Sequence, residues 1–383
     1  MTRLLLIGSG YPHLVVLEAF RRNPPGRGSV TLLSGDRLQA HPGMVPGYLA
    51  GRYPLEEIRV DLAEAAGAAG MAFTEGRVRT LDAGAGRVEL ESGIAIEYEL
   101  ASIALDGASI GEGHSRGSAH GIGSLAQVDA LAGALDALAA TPRPEPRRIV
   151  ILGANELGVE LALATRARLD RRGASDVIIT ILESRSELFG GRLRPWADRV
   201  ERVLAERDII LRLGTGAAEV GADFVRQSDG RVQPADLVLS AAGPGAWAPL
   251  RGSGLPLDGH GNLLLEETLQ AQGSATHFGA GPGTALLTAP RALHSMAADA
   301  RMGRVLARNL ATVLAGAPPT RRFIPRAREL TLLDAGDGRA VLLGGPVAAV
   351  SRWALRYKQM GDRRLVNRLR ATPQGGTATR GQS

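Results

Sequence analysis

Two stretches of this chain repeat one design, and the repetition limits the folds open to it. "RLLLIGSGYPHLVVLEAF" (residues 3–20) and "RIVILGANELGVELALATRARL" (residues 148–169) each run from an apolar segment, through a turn containing glycine, into a helical pattern. Each is followed by a second apolar run, "SVTLL" at 29–33 and "VIITILE" at 177–183. Strand, helix and strand in this order close by a right-handed crossover into a parallel sheet covered by helices. The expected fold class is α/β, built from two such modules.

At 383 residues the chain exceeds one ordinary core, so two domains and a small extra unit are expected. After the first module comes "SGDRLQAHPGMVPGYLAGRYPLEEIRVDL", rich in glycine and proline and too long to be a mere connector. Short alternating runs from Met71 to Ala104 read as a β-meander laid against the first sheet. A helix is expected over Leu125 to Ala139, and "TPRPEPRR" then stops regular structure before the second module. A second meander-like stretch leads to "ADLVLSAAGPG". Near the end, a hairpin turning at Asp337-Gly338 precedes a basic helix, "RWALRYKQMGDRRLVNRLR", and the last residues read as disordered.

The two turns point to dinucleotides. A diphosphate needs backbone N–H groups and the positive end of a helix dipole, and glycine permits the tight turn and the close approach. Gly8 and Gly10 supply these, while His13 holds the place of a third glycine, which serves helix–strand packing. In the second turn Gly153 and Gly158 are present, and Asn155 replaces the middle glycine, where it obstructs a phosphate or bonds to it. Glu183, at the end of the following strand, suits a ribose 2′-hydroxyl and repels a 2′-phosphate, which favours NADH over NADPH. The same glutamate also reads as an ordinary strand-end residue.

With "SAAG" after the second module and "THFGAGPG" later, the chain resembles the type II NADH dehydrogenase-like branch of the pyridine nucleotide-disulfide oxidoreductase superfamily. It is most similar to the subgroup also found fused to selenide, water dikinase. The resemblance rests on "GSGYPHLVVL", "HPGMVPGYLAGRYPLEEIRVDL", "GVELA" and "WALRYKQMGDRRL" and covers nearly the whole chain. It implies two Rossmann-like domains. Residues 1–110 and 236–316 would bind FAD, residues 111–235 would bind NAD(P), and residues 317–383 would form a small α+β unit.

The resemblance also assigns residues. Gly8, Ser9 and Gly10, with Pro12, would hold the FAD diphosphate. Ser34 stands where many relatives carry the ribose-binding acid, and Asp36 is the nearest carboxylate. Val78 would offer its backbone to adenine, Pro46 would lie beside the flavin ring, and a helix starting at Pro290 would aim its dipole at the flavin's pyrimidine end. Glu160 would lie near the nicotinamide of NAD(H), although helix surfaces carry glutamates routinely. Gly281 is followed by Pro282 where the family pattern has Gly-Asp, so one contact to the cofactor is lost.

The chain contains no cysteine, which excludes disulfide, dithiol and persulfide chemistry. Direct hydride transfer to flavin and onward transfer to a small electron acceptor, a quinone among them, remains; it needs no protein nucleophile, and no catalytic side chain is named. No metal site is expected, since His114 and His120 share a loop without further ligands at tight spacing. The net charge of +6 favours anionic partners without identifying one, and no nucleic-acid module accompanies it. Trp353, Tyr357, Met360, Leu365 and Leu369, with Arg352, Arg356, Lys358, Arg363, Arg364 and Arg368 around them, read either as a peripheral membrane face or as a stripe packed on the protein's own body. A cytoplasmic protein is expected, with no spanning segment. The altered positions Asn155 and Pro282 keep a second reading open: a non-catalytic descendant that binds a nucleotide or a partner protein.

Overall fold

The computed structural model describes residues 2–105, 119–191, 193–241, 247–289, 295–326, 330–344 and 347–370. Its frame is a pair of five-stranded parallel sheets. The first runs His277–Gly279, Leu100–Ile103, Arg3–Ile7, Ser29–Ser34, Ala72–Glu75. The second runs Ala119–His120, Leu237–Ser240, Arg147–Leu152, Val177–Glu183, Ile209–Leu213. The first sheet thus draws strands from both sides of the second in the chain. In each sheet the strand leading into the glycine turn is central, so the turn emerges at the carboxyl edge where the strand order switches direction.

Burial explains the strand placement. Leu4, Leu5, Leu6 and Ile7, like Ile149, Val150, Ile151 and Leu152, are buried throughout, as strands covered on both faces must be. The same holds for Leu100, Ala101, Ser102 and Ile103, which corrects the expected meander. Residues 71–104 begin and end with parallel strands of the first sheet, and only Val78–Asp82, Arg87–Leu90 and Ala95–Glu97 form an antiparallel sheet. The second antiparallel unit, Ala217–Val220, Phe224–Gln227 and Val232–Pro234, follows its expectation.

The helix of the first module, Tyr11–Arg22, packs on Met296–Leu314. Contact is close at Gly303, where an added Cβ would stand 2.7 Å from the Pro12 carbonyl oxygen. Ser295 caps the long helix by accepting from the Ala298 N–H, so that helix begins at Met296 and not at Pro290. Pro290 itself lies outside the described residues, as do His114 and the tail from 371 onward.

Thr331–Asp334 and Ala340–Gly344 form the expected hairpin, with Gly336 and Gly338 at positive φ, and Val347–Ser351 extends it. The final helix, Arg352–Arg370, divides its apolar residues. Ala354, Leu355, Val366 and Leu369 are buried against the body, while Trp353, Tyr357 and Met360 are 75%, 62% and 43% exposed. One expected stripe is therefore two faces.

Gly158 shows how tightly the second module is closed. A Cβ there would lie 1.9 Å from the Gly153 carbonyl oxygen, closer than any atom pair tolerates. Gly158→Ala must push the helix Glu156–Arg171 off the turn, and chemical denaturation should record a loss of about 1–3 kcal/mol. An unchanged midpoint would contradict this packing.

Candidate functional site

In the first turn, backbone geometry decides which residues fit. Gly8 has φ 88°, and a Cβ there would stand 2.4 Å from the Ala104 oxygen. At Gly10 it would stand 2.3 Å from the Leu105 oxygen. Both glycines are required by the chain leaving the strand Leu100–Ile103. The Gly8 N–H donates to the Leu33 carbonyl at 2.8 Å and the Gly10 N–H to Ala104 at 2.9 Å. Pro12 has no N–H to offer. That leaves the amides of Ser9 and Tyr11 at the positive end of the helix, with no protein acceptor among the described residues. Such a pair fits a diphosphate.

The second turn keeps the frame and alters the other position. Gly153, at φ 97°, donates to the Leu182 carbonyl at 2.8 Å, as Gly8 does to Leu33. The Asn155 side-chain amide donates to the Ala241 carbonyl at 2.7 Å, replacing the bond that the backbone of Gly10 makes to Ala104. Its Oδ1 accepts from the Gly158 N–H at 2.9 Å as the helix N-cap. Buried Glu183 accepts from the Ala154 N–H at 2.9 Å and the Arg185 N–H at 3.0 Å. Three amides of this turn, those of Gly153, Ala154 and Gly158, are thus already bonded within the protein.

Other expected residues gather around the first turn. Ser34 and Ser9 are buried with their hydroxyls 3.0 Å apart, which places Ser34 beside the first turn. Asp36 lies at the surface, paired with Arg77 at 3.4 Å, next to Val78 at the start of its strand. Gly281 meets the turn directly: a Cβ on it would be 3.0 Å from Pro12 Cγ. Pro282 has a local cause, since Gly281 to Thr284 form a turn with proline second and Gly283, at φ 84°, third. That is the residue pair a type II turn requires. Pro46 is buried on Val45–Leu49, which packs against the second module's helix.

Glu160 is not a surface residue. It is buried, accepts from the Asp334 N–H at 2.7 Å, and lies 3.7 Å from Lys358 Nζ. Lys358 in turn donates to the Gly43 carbonyl at 2.5 Å and to Asp362 at 3.1 Å. Burial pushes the Glu160 carboxyl up to about 7, with nearby Lys358 pulling it back only in part. The Lys358 ammonium is held firmly charged by Asp362 and Glu160 despite its burial. Nothing in the spacing marks Lys358, yet it is the only lysine in the sequence, against 44 arginines. Among the described residues no His, Asp or Glu cluster has the makings of a metal site, and no helix is long and apolar enough to cross a membrane.

This geometry has known counterparts. Residues 2–278 match the family model described as pyridine nucleotide-disulphide oxidoreductase. An NADH dehydrogenase-like protein of Mycobacterium tuberculosis strain CDC 1551 / Oshkosh is 27% identical over 365 residues, covering 90% of this chain and 88% of its own. Among solved structures, the sulfide:quinone oxidoreductase of Aquifex aeolicus superposes with a TM-score of 0.77 at 20% identity, covering 97% of this chain and 92% of its own. The water-forming NADH oxidase of Lactobacillus brevis, bound to NADH, superposes with a TM-score of 0.66 at 16% identity, covering 94% and 77%.

The raised carboxyl of Glu160 has a consequence for stability. A folded value above the unfolded one means that the neutral form stabilises the fold, an advantage lost as pH rises through about 7. Glu160→Gln keeps the acceptor for Asp334 without the charge. It should match the wild type at about pH 4 and exceed it by up to about 3 kcal/mol at about pH 8. Urea midpoints at the two pH values decide; a variant weaker at the higher pH would show that ion pairing with Lys358 dominates.

Proposed function

The chain belongs to the pyridine nucleotide-disulphide oxidoreductase family, and we propose that it is an FAD-dependent enzyme that takes hydride from NADH and passes electrons to a small acceptor, a quinone being one candidate. The observation that carries this is the preserved first turn, with the Ser9 and Tyr11 amides at a helix start and Gly281 against Pro12. Gly8, Ser9, Gly10 and Pro12 would surround the FAD diphosphate, and Ser34, Asp36 and Val78 the adenosine end. Residues 1–110 and 236–316, less the strand Leu237–Ser240 that belongs to the second sheet, would form this flavin half. Pro46, Gly281 and Pro282 would border the part nearer the ring, with Pro290 on the chain leading to the long helix. Bound flavin would supply the hydride acceptance and electron release that the side chains lack.

Residues of the second turn would orient the nicotinamide nucleotide. Gly153, Asn155 and Gly158 shape the turn, and Glu183, which accepts from the Ala154 and Arg185 amides and the Ser184 hydroxyl, keeps one acceptor site on Oε2 for a ribose hydroxyl while repelling a 2′-phosphate. Glu160 and Lys358 would keep a single buried charge arrangement between the modules. With no cysteine in the chain, no thiol takes part.

The purified protein should show the visible absorption of an oxidised flavin, bleached under anaerobic conditions by NADH and much more slowly by NADPH, with Glu183→Ser narrowing that preference. A colourless protein that ignores added FAD, yet is stabilised thermally by NAD, would instead establish the non-catalytic nucleotide-binding reading favoured by Asn155 and Pro282.

A quinone acceptor calls for contact with a lipid surface, for which the final helix offers a face. Trp353, Tyr357 and Met360 recur at helical spacing, exposed, with Arg356 stacked over the Trp353 ring at 5.0 Å. Co-sedimentation with vesicles containing anionic lipid should fall several-fold in Trp353→Ala/Tyr357→Ala and weaken with salt. Equal sedimentation of both proteins would remove the membrane from the proposal.

A further inference from the structure

We infer that His13 is a positioning residue of the first turn: its imidazole, as the Nδ1–H tautomer, fixes the peptide between Gly8 and Ser9 so that the Ser9 N–H is presented to a bound diphosphate. The inference rests on the diphosphate reading of that turn and adds the group that sets its donor.

The geometry is specific. His13 is fully buried, with Nδ1 2.6 Å from the Gly8 carbonyl oxygen and Nε2 2.9 Å from the Ser102 hydroxyl. A carbonyl only accepts, so Nδ1 carries the proton and Nε2 accepts from Ser102. Ser102 is itself fully buried and lies opposite Leu6 in the adjacent strand, so the ring spans from turn to sheet. The carbonyl of Gly8 and the N–H of Ser9 belong to one planar trans peptide and point in opposite directions. Drawing the carbonyl toward the imidazole therefore turns the Ser9 N–H away from it.

The second module shows what His13 replaces. There Gly158 presses the helix against the Gly153 carbonyl, leaving no room even for a Cβ. In the first module the equivalent carbonyl is hydrogen-bonded instead, and the helix retains a side chain at that position. Burial holds the His13 imidazole well below its ordinary value, at about 4, so the neutral ring persists through neutral pH.

Two measurements test this. Long-range proton–nitrogen spectra of the unliganded protein should show His13 protonated at Nδ1, and the Ser9 amide should shift on addition of inorganic pyrophosphate. Titration with FAD should give about ten-fold weaker binding for His13→Leu, the loss of one hydrogen bond, and binding within about three-fold of wild type for His13→Asn, whose amide reproduces the Nδ1 donor. Should His13→Leu fail to fold, His13→Asn and Ser102→Ala carry the comparison. An Nε2–H tautomer, a Ser9 amide indifferent to pyrophosphate, or His13→Leu binding FAD like wild type would overturn the inference. A wild-type protein that takes no FAD but shows the tautomer and the pyrophosphate shift would end the flavin reading and leave the role of His13 standing.

Discussion

One buried ammonium group, beside an apolar core that runs through both modules, ties the parts of this molecule to one another. Lys358, on the final helix, reaches the Gly43 carbonyl of the first module's long loop, Asp362 one turn along its own helix, and Glu160 on the second module's helix. Glu160 takes the Asp334 N–H of the hairpin, and Arg52 from the same long loop pairs with Asp334 and donates to the Gly336 carbonyl. Four segments remote in sequence thus share one charged cluster. Removing the ammonium would leave the Asp362 carboxylate beside it uncompensated, at a cost of about 3–5 kcal/mol. A compact ammonium with three donors suits this cage, whereas the planar fork of an arginine does not. That accounts for a lysine here in a chain that otherwise uses arginine throughout.

The long loop is the element this cluster secures. Tyr48 donates to Asp129, Arg168 donates to the Leu49 carbonyl, and Arg52 reaches the hairpin. Residues 41–53 are consequently tied to both modules and to the C-terminal unit. The loop's short helical turns, Pro42–Met44 and Val45–Leu49, bury Met44, Val45 and Leu49 in the core, and the polar bonds fix its edges.

The modules were legible in the sequence because an apolar run, a glycine and a helical period occur together only in a strand–turn–helix unit. The strands at 72–75 and 100–103 were misplaced for a definite reason. Four residues carry too little periodicity to separate a parallel partner from an antiparallel one, and only burial of Leu100 to Ile103 on both faces decides it. Turn chemistry at Gly8, Gly10, Gly153 and Gly158 was visible, since each needs a conformation or closeness that a Cβ forbids. The bonding of His13, Asn155 and Lys358 was not, because Ser102, Ala241 and Gly43 reach them only through the fold. Rarity was the one signal available for Lys358.

The two turns share one plan and depart from it at different glycines. The first kept the middle glycine, bonds its helix-start backbone to Ala104, and traded the third glycine for an imidazole that leaves the Ser9 amide outward. The second has the third glycine and, in place of the middle one, a side chain that takes the Gly158 amide as the Gly10 carbonyl takes that of His13, so the turns differ one residue after the first glycine, where Glu183 takes the Ala154 amide and that of Ser9 is unbonded among the described residues. Each unbonded amide at a helix start adds a donor to an anion, and each capped one must be recovered from its internal acceptor first. Under the proposed function this difference matches the needs of the two nucleotides: a cofactor that stays bound through many turnovers gains from free donors, and a substrate that must leave after each hydride transfer gains from donors already engaged.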